Sequence, residues 1–152
     1  MSKIGVFPGS FDPFTKGHEA VIRKSLGLFD KIIIAVGVNN SKKYMFTLEK
    51  RMLHINELFK NDPQGEVQSF QKLTVEFCKD VGASHIVRGL RNSNDFEYEK
   101  AIADMNFDIA GIDTVFFLTE LKFNAISSSI IREVYKNNGD IEQFVTKPHL
   151  LV

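Results

Sequence analysis

Cysteine is almost absent from this chain, with Cys78 alone among 152 residues, so no intrachain disulfide can form. Cys78 lies in the apolar-rich stretch Leu73 to Cys78, where a buried, inert thiol is expected rather than a nucleophile. His54, His85 and His149 have no metal-ligand spacing with one another or with Cys78, which argues against a zinc site. Charge of one sign is missing as well. Nineteen basic and nineteen acidic residues cancel, so bulk attraction to nucleic acid or to an anionic membrane is excluded, and any anion site must be local. No apolar run reaches the length of a membrane span, and Met1-Ser2-Lys3-Ile4-Gly5 enters a strand rather than a signal-peptide apolar region, which predicts a cytoplasmic protein. Several motifs are missing too. There is no Walker-type Gly-x-x-x-x-Gly-Lys-Ser/Thr loop, no Gly-x-Gly-x-x-Gly fingerprint and no Gly-x-Ser-x-Gly elbow. Ordinary kinases, dehydrogenases and covalent hydrolases become poor fits, and direct transfer between bound substrates remains.

The residues present, 43% hydrophobic and 25% charged, suit one soluble domain spanning residues 1–152 with a sizeable core. Strand-like runs alternate with helical patterns throughout. Strands are expected at 3–7, 31–38, 66–70, 84–87 and 113–118. Helices are expected at about 17–29, from the Thr47 cap to Phe59, at about 72–81 before Gly82, at about 93–110 before Gly111, and from Ser127 to Tyr135, with a short final turn at 141–144. Apolar positions Leu48, Met52, Ile55 and Phe59 mark one helix face, and the longer helix at 93–110 carries Phe96, Ile102, Met105 and Ile109. This order predicts an α/β fold, a Rossmann-like, doubly wound sheet of five parallel strands with helices on both faces. No repeat, low-complexity tract or linker interrupts it.

Gly9-Ser10-Phe11-Asp12-Pro13-Phe14-Thr15-Lys16-Gly17-His18 joins the first strand to the first helix. Such a turn aims backbone N–H groups and a helix N-terminus at one spot, which suits a phosphate, and the His18 imidazole can donate to a phosphoryl oxygen there. Glycine in a tight turn and a surface histidine read equally well from the turn alone. The other loops at the carboxyl edge of the sheet narrow the choice. Ser10 and His18, Lys42 and Lys43, Arg88 and Arg91, and Ser127 to Ser129 all emerge there, where open parallel sheets bind ligands. Their cations suit a nucleoside triphosphate. Singly, Lys42-Lys43 reads as a solvated pair, Arg88 or Arg91 as a partner of Asp95 or Glu99, and the serines as helix caps.

Pro8 to Pro13, Thr15-Lys16-Gly17-His18, Ser41-Lys42-Lys43, Arg88-Gly89-Leu90-Arg91, Asp95 to Glu99 and Ile126 to Arg132 together resemble the bacterial phosphopantetheine adenylyltransferases, over about residues 3–145. Thr15 to His18 is similar to the Thr/His-x-Gly-His signature of the nucleotidylyltransferase superfamily. The resemblance implies reversible transfer of the adenylyl group of ATP to 4′-phosphopantetheine, giving dephospho-coenzyme A and pyrophosphate, with Mg²⁺ carried mainly on the ATP phosphates. By the same resemblance His18 hydrogen-bonds the α-phosphate, Lys42 holds the incoming phosphate, and Arg88 and Thr74 contact the phosphopantetheine. Ser10 and Phe11 stand near the shared phosphate site. Gly89, Leu90, Arg91, Glu99 and the segment Asn124, Ala125, Ile126, Ser127, Ser128, Ser129 and Ile130 surround the nucleotide. A homohexamer and feedback by coenzyme A are implied too. The chain departs from the family pattern at Ser10, where threonine is frequent, at Lys72, where an acidic residue is often seen, and after Pro148, where many relatives add a helix. Rival readings are a nucleotidyltransferase acting on nicotinate mononucleotide or glycerol phosphate, and a nucleotide sensor without catalysis. A class I aminoacyl-tRNA synthetase is excluded by the short chain and the lack of a basic run.

Overall fold

The computed structural model describes residues 2–152. Its strands are β1 (Ile4–Gly9), β2 (Lys31–Gly37), β3 (Gly65–Phe70), β4 (His85–Leu90) and β5 (Asp113–Leu118), and its helices are α1 (Lys16–Ser25), α2 (Leu48–Leu58), α3 (Thr74–Val81), α4 (Ser93–Ala110) and α5 (Ser128–Lys136). The strands form one parallel sheet in the order β3-β2-β1-β4-β5. That is the expected Rossmann-like α/β architecture.

The apolar run in β2 explains the layering. Ile32, Ile34 and Val36 join one core with Val21 and Ile22 of α1 and Ile55 and Phe59 beside α2. Ile33 and Ala35 face the opposite core with Val75, Phe77 and Cys78 of α3. A strand covered on both sides has no reason to alternate apolar with polar residues. The caps act where the sequence put them: Thr47 accepts from the Lys50 N–H, and Gly82 and Gly111 take left-handed φ values of 72° and 69° at the ends of α3 and α4. Cys78 is buried, and burial pushes its thiol up to about 11.

Three expectations need correction. α1 ends at Ser25 rather than near Phe29, because the chain turns through Leu26 and Gly27. β4 runs on to Leu90, so Arg88 lies within the strand and not beyond it; pairing with β5 continues to Leu90 opposite Leu118. The apolar residues carried by α4 do not enter the core of the chain, since Phe96, Ile102, Met105 and Ile109 are between 41% and 62% exposed.

The sheet is incomplete at one place. β1 pairs with β2 in six registered positions and β4 with β5 in six, but β1 meets β4 only at Gly5 opposite His85 and Val6 opposite Ile86. Beyond that the two strands part at the switch point, on the carboxyl side where ligands bind in such sheets. Pro8 contributes to the break, because it has no N–H with which to continue the ladder.

After α5 the chain doubles back through a turn at Ile141 to Val145 and a short 3-10 helix, Pro148–Leu151. Ile141, Val145 and Leu151 form a third core with Phe46 and Ile131. Sequence patterning identified the first turn but not the second. Leu151 is 1% exposed, so Leu151→Ala should lower the free energy of urea unfolding by about 2–5 kcal/mol, the range for a truncated core leucine. A loss below about 0.5 kcal/mol, the level of a surface change, would mean that the segment is not docked in solution.

Candidate active site

The first helix begins with a capping box whose far member is histidine. Thr15 Oγ1 accepts from the His18 N–H at 3.2 Å, and His18 Nδ1 accepts from the Thr15 N–H at 3.0 Å. Because Nδ1 is an acceptor, the neutral ring carries its proton on Nε2 and offers that N–H as a donor. The ring is held edge-on by Phe11, with centroids 5.1 Å apart, and leans on Phe14 at 5.4 Å. Burial, reinforced by the charges of Arg88 and Arg91, pushes the His18 pKa down to about 3. It is an uncharged hydrogen-bond donor throughout the physiological range.

Phe11 adopts a φ of 51°, in the left-handed region that a bulky residue rarely enters. Its ring stacks on Phe7 at 5.7 Å and lies where a Cβ on residue 9 would fall, 2.8 Å away, so Gly9 is required. Phe11 is thus a support beneath His18 and does not line the cleft.

The turn is fastened from two sides. Asp12 accepts from the Met45 and Phe46 N–H groups at 2.8 and 2.9 Å, and Arg51 donates to the Ser10 and Phe46 carbonyls at 2.7 and 3.0 Å. From α5, Arg132 donates to the Asp12 carbonyl at 2.9 Å and Ser128 Oγ to the Pro13 carbonyl at 2.9 Å. Ser127 caps α5 by accepting from the Ile130 N–H. Asp12, Arg51 and Arg132 were not singled out from the sequence. Arg51 did leave a signal, since it sits three residues after Leu48 and four before Ile55 on the apolar face of α2.

Arg88 fills the gap between the parted strands. Its Nη1 donates to the Pro8 carbonyl, and its Nε donates to Glu99 Oε1 at 2.6 Å. Arg91 is bound by Asp95 through Nε at 2.9 Å and Nη2 at 3.1 Å, and donates to the Ile126 carbonyl at 3.1 Å. The Arg91 guanidinium holds the Asp95 carboxyl below the usual carboxylate range. Both ion pairs considered from the sequence therefore exist, and they face the cleft rather than open solvent.

Three cavities run along this edge. The first, about 290 Å³, is lined by His18, Gly89, Arg91, Ser127 and Ser128, with Ile126, Tyr98 and Thr119 also at its wall. The second, about 310 Å³, is lined by Ser10, Thr74 and Asn106. Arg88, Tyr98 and Glu99 border both. A third, about 410 Å³, shares Ser10 with the second and adds Lys42, Tyr44 and Lys72. Lys42 Nζ lies 3.4 Å from Ser10 Oγ, while Lys72 is paired with Asp80 at 2.6 Å. His18, Arg88, Arg91, Glu99, Ser10, Thr74 and Lys42 are thus brought to one continuous groove. Leu90, Asn124, Ala125, Ser129 and Ile130 lie behind or beside it, and Leu90 and Ser129 act through hydrogen bonds to Thr119 and Arg132. Gly89 is needed for close packing, as a Cβ there would stand 2.8 Å from Val21 of α1.

A polyanion groove at the switch point of a doubly wound parallel sheet, with an uncharged donor at the first helix and no protein nucleophile, defines a nucleotidyltransferase. Residues 6–134 match the cytidylyltransferase-like family model. A phosphopantetheine adenylyltransferase from Flavobacterium psychrophilum is 53% identical over 140 residues, covering 92% of this chain and 93% of the relative. Its counterpart from Christiangramia forsetii is 47% identical over 143 residues, covering 94% and 95%. The chain belongs to the phosphopantetheine adenylyltransferase family. A crystal structure of a bifunctional NMN adenylyltransferase/ADP ribose pyrophosphatase from Francisella tularensis shares the fold with a TM-score of 0.70 at 20% identity; the match covers 97% of this chain and 46% of that one.

The His18 environment has a consequence for acid stability. The unfolded chain binds a proton near pH 6.5, whereas the folded ring stays neutral to about pH 3. The stability that depends on the neutral ring is therefore complete above pH 6.5 and lost as the pH falls toward 3. In urea unfolding at pH 7, 5.5 and 4.5, His18→Gln should lose stability less steeply than the wild type. His54, buried and also held below its ordinary value by burial, adds the same dependence to both proteins. Parallel curves would show that residue 18 is not kept neutral by its surroundings.

Proposed function

We propose that this protein transfers the adenylyl group of ATP to 4′-phosphopantetheine, forming dephospho-coenzyme A and pyrophosphate, the penultimate step of coenzyme A synthesis. The observation that carries the reading, in a chain of this family, is the meeting of two cavities at Arg88. The nucleotide occupies the cavity at His18, Gly89, Arg91 and Ser127 to Ser128, bordered by the Asn124 to Ile130 segment. The acceptor arm occupies the cavity at Thr74, and its phosphate reaches Ser10, Lys42 and Arg88.

An oxygen of the acceptor phosphate attacks the α-phosphorus while the bond to pyrophosphate breaks. Charge shifts toward the pyrophosphate oxygens, and the α-phosphate oxygens stay within reach of the His18 Nε2–H. A neutral donor suits this role, since its Nε2–H is too weak an acid to be given up and its orientation is fixed beforehand by Thr15. Arg88, Arg91 and Lys42 supply the positive charge. Positioning and charge stabilisation suffice for this chemistry, so the missing nucleophile is no defect.

Magnesium would fit as an ion carried on the triphosphate, where it would neutralise charge on the phosphate oxygens. Asp95 and Glu99 are committed to arginines, and no group of three metal-binding side chains occurs among the described residues. The same reading makes the protein a single-domain cytoplasmic homohexamer subject to feedback by coenzyme A. The exposed apolar side chains of α4 support assembly. Sedimentation should give six times the mass of one chain, and a monomer would overturn that part.

Pyrophosphate release from ATP should require 4′-phosphopantetheine, with nicotinate mononucleotide and glycerol 3-phosphate inactive; turnover of either substitute instead would reassign the acceptor. His18→Ala should lower kcat by about 10²–10³ while changing ATP affinity little, because the contact matters chiefly in the transition state. Equal losses in kcat and ATP binding would remove that role. Lys42→Ala should raise the KM for 4′-phosphopantetheine about tenfold, the worth of one charge-assisted hydrogen bond, and unchanged acceptor affinity in calorimetry would refute the assignment.

A further inference from the structure

The C-terminal segment closes over a buried histidine. His54 of α2 is 0% exposed, and its Nε2 lies 2.7 Å from the Thr146 carbonyl. A carbonyl can only accept, so the neutral ring carries its proton on Nε2, and Nδ1 is left buried with no hydrogen-bond partner among the described residues. Thr146 also turns to α1, where its Oγ1 donates to Glu19 Oε1 at 2.8 Å, and two residues earlier the Phe144 carbonyl accepts from the Lys16 N–H at 2.8 Å. The segment thus holds the first turn of α1 at two points that flank Gly17 and His18, and His54 holds the segment from α2. The next residue, Lys147, takes a φ of 51°, a left-handed conformation that a lysine adopts only under constraint.

We propose that His54 is an acid-released latch: it fastens the C-terminal segment across α1 and α2 while its ring is neutral, and lets the segment go when the ring is protonated. A second ring proton would sit on Nδ1, charged, enclosed and without an acceptor. Burial disfavours that charge more than the Thr146 carbonyl and Glu19 favour it, and His149 in the 3-10 helix acts with burial, so the docked ring resists protonation. Glu19 is already occupied, since Oε1 accepts from Thr146 and Oε2 from Arg23. On α2 itself Arg51 is turned to the Ser10 and Phe46 carbonyls and Glu57 is paired with Lys60. Phe14 meets the ring edge-on, with centroids 6.5 Å apart, and belongs with Ile55 to the core shared with β2. Lifting the segment is therefore what brings the imidazole to water. With the segment lifted the ring titrates near pH 6.5; docked, it titrates lower. Docking is at full strength above pH 6.5 and weakens as the pH falls, and its release frees the Lys16 N–H and Glu19 on either side of His18.

Hydrogen exchange of the full chain at pH 7 and pH 5, read as protection factors, tests this. The Lys16 amide should lose up to about 30-fold in protection at pH 5, the factor by which protonation favours a ring titrating at 6.5 over one that stays neutral. It should exchange faster than the amides of β2 at both pH values, which marks a local opening. His54→Gln keeps a donor for the Thr146 carbonyl and does not titrate, so its Lys16 protection should be the same at pH 7 and pH 5. His149→Gln should keep the wild-type loss. Leu151→Ala, which weakens docking without touching the ring, should raise the His54 pKa toward 6.5 in an NMR titration, and this decides the matter should His54→Gln fail to fold. No loss at pH 5 in the wild type, the full loss in His54→Gln, its disappearance in His149→Gln, an unchanged His54 pKa in Leu151→Ala, or Lys16 exchanging together with β2 would each overturn the latch.

Discussion

The early parting of β1 from β4 is the constraint on which the site depends. Two rungs hold these strands together, and then the Pro8 carbonyl faces a gap where a ladder donor would otherwise stand. A buried carbonyl without a partner is costly, and the strand supplies one through the Arg88 side chain. The guanidinium that borders both cavities is therefore also the group that completes the backbone hydrogen bonding at the switch point. A shorter side chain would leave the carbonyl unpaired, and a lysine would bring a single point charge in place of the planar fork that reaches Pro8 and Glu99 together.

Placing two guanidinium groups beside one imidazole is electrostatically unfavourable unless something offsets it. α4 offsets it with two carboxylates one turn apart, of which Asp95 in the first turn is also favoured by the positive end of the helix dipole. Counted together, Arg88, Arg91, Asp95 and Glu99 sum to zero, and His18 adds no charge because burial and the arginines keep it neutral. The groove is thus not a concentrated positive patch. It is a set of oriented donors whose charges are balanced from behind, which is how a polyanion can be received without the cations repelling one another beforehand.

The same helix also carries exposed apolar side chains. Phe96, Met105, Phe107 and Ile109 are half or nearly half exposed, while Glu99, one turn after Asp95, is buried against Arg88. By helical position Phe96 and Phe107 lie on one side of α4 and Met105 and Ile109 on another, with Asp95 and Glu99 between the two pairs. Exposed apolar side chains thus flank both carboxylates that hold the arginines.

How far the sequence reaches follows from the range of each interaction. Alternation of patterns disclosed the sheet, because burial of β2 on both faces writes itself into consecutive residues. Caps at Thr47, Gly82 and Gly111 are local and were legible for the same reason, whereas the Thr15 capping box was not read. Arg88 was identified but placed at a strand end, since the length of β4 is set by its pairing with β5, about 28 residues away, and not by its own composition. The Asp12 and Arg51 brackets were invisible because each joins segments more than 30 residues apart. The exposure of the α4 apolar residues was not legible either, because apolar content reports an avoidance of water and says nothing of what covers it. Candidate residues thus emerged from chemistry at the carboxyl edge, while their division between two cavities required the strands to be seen parting.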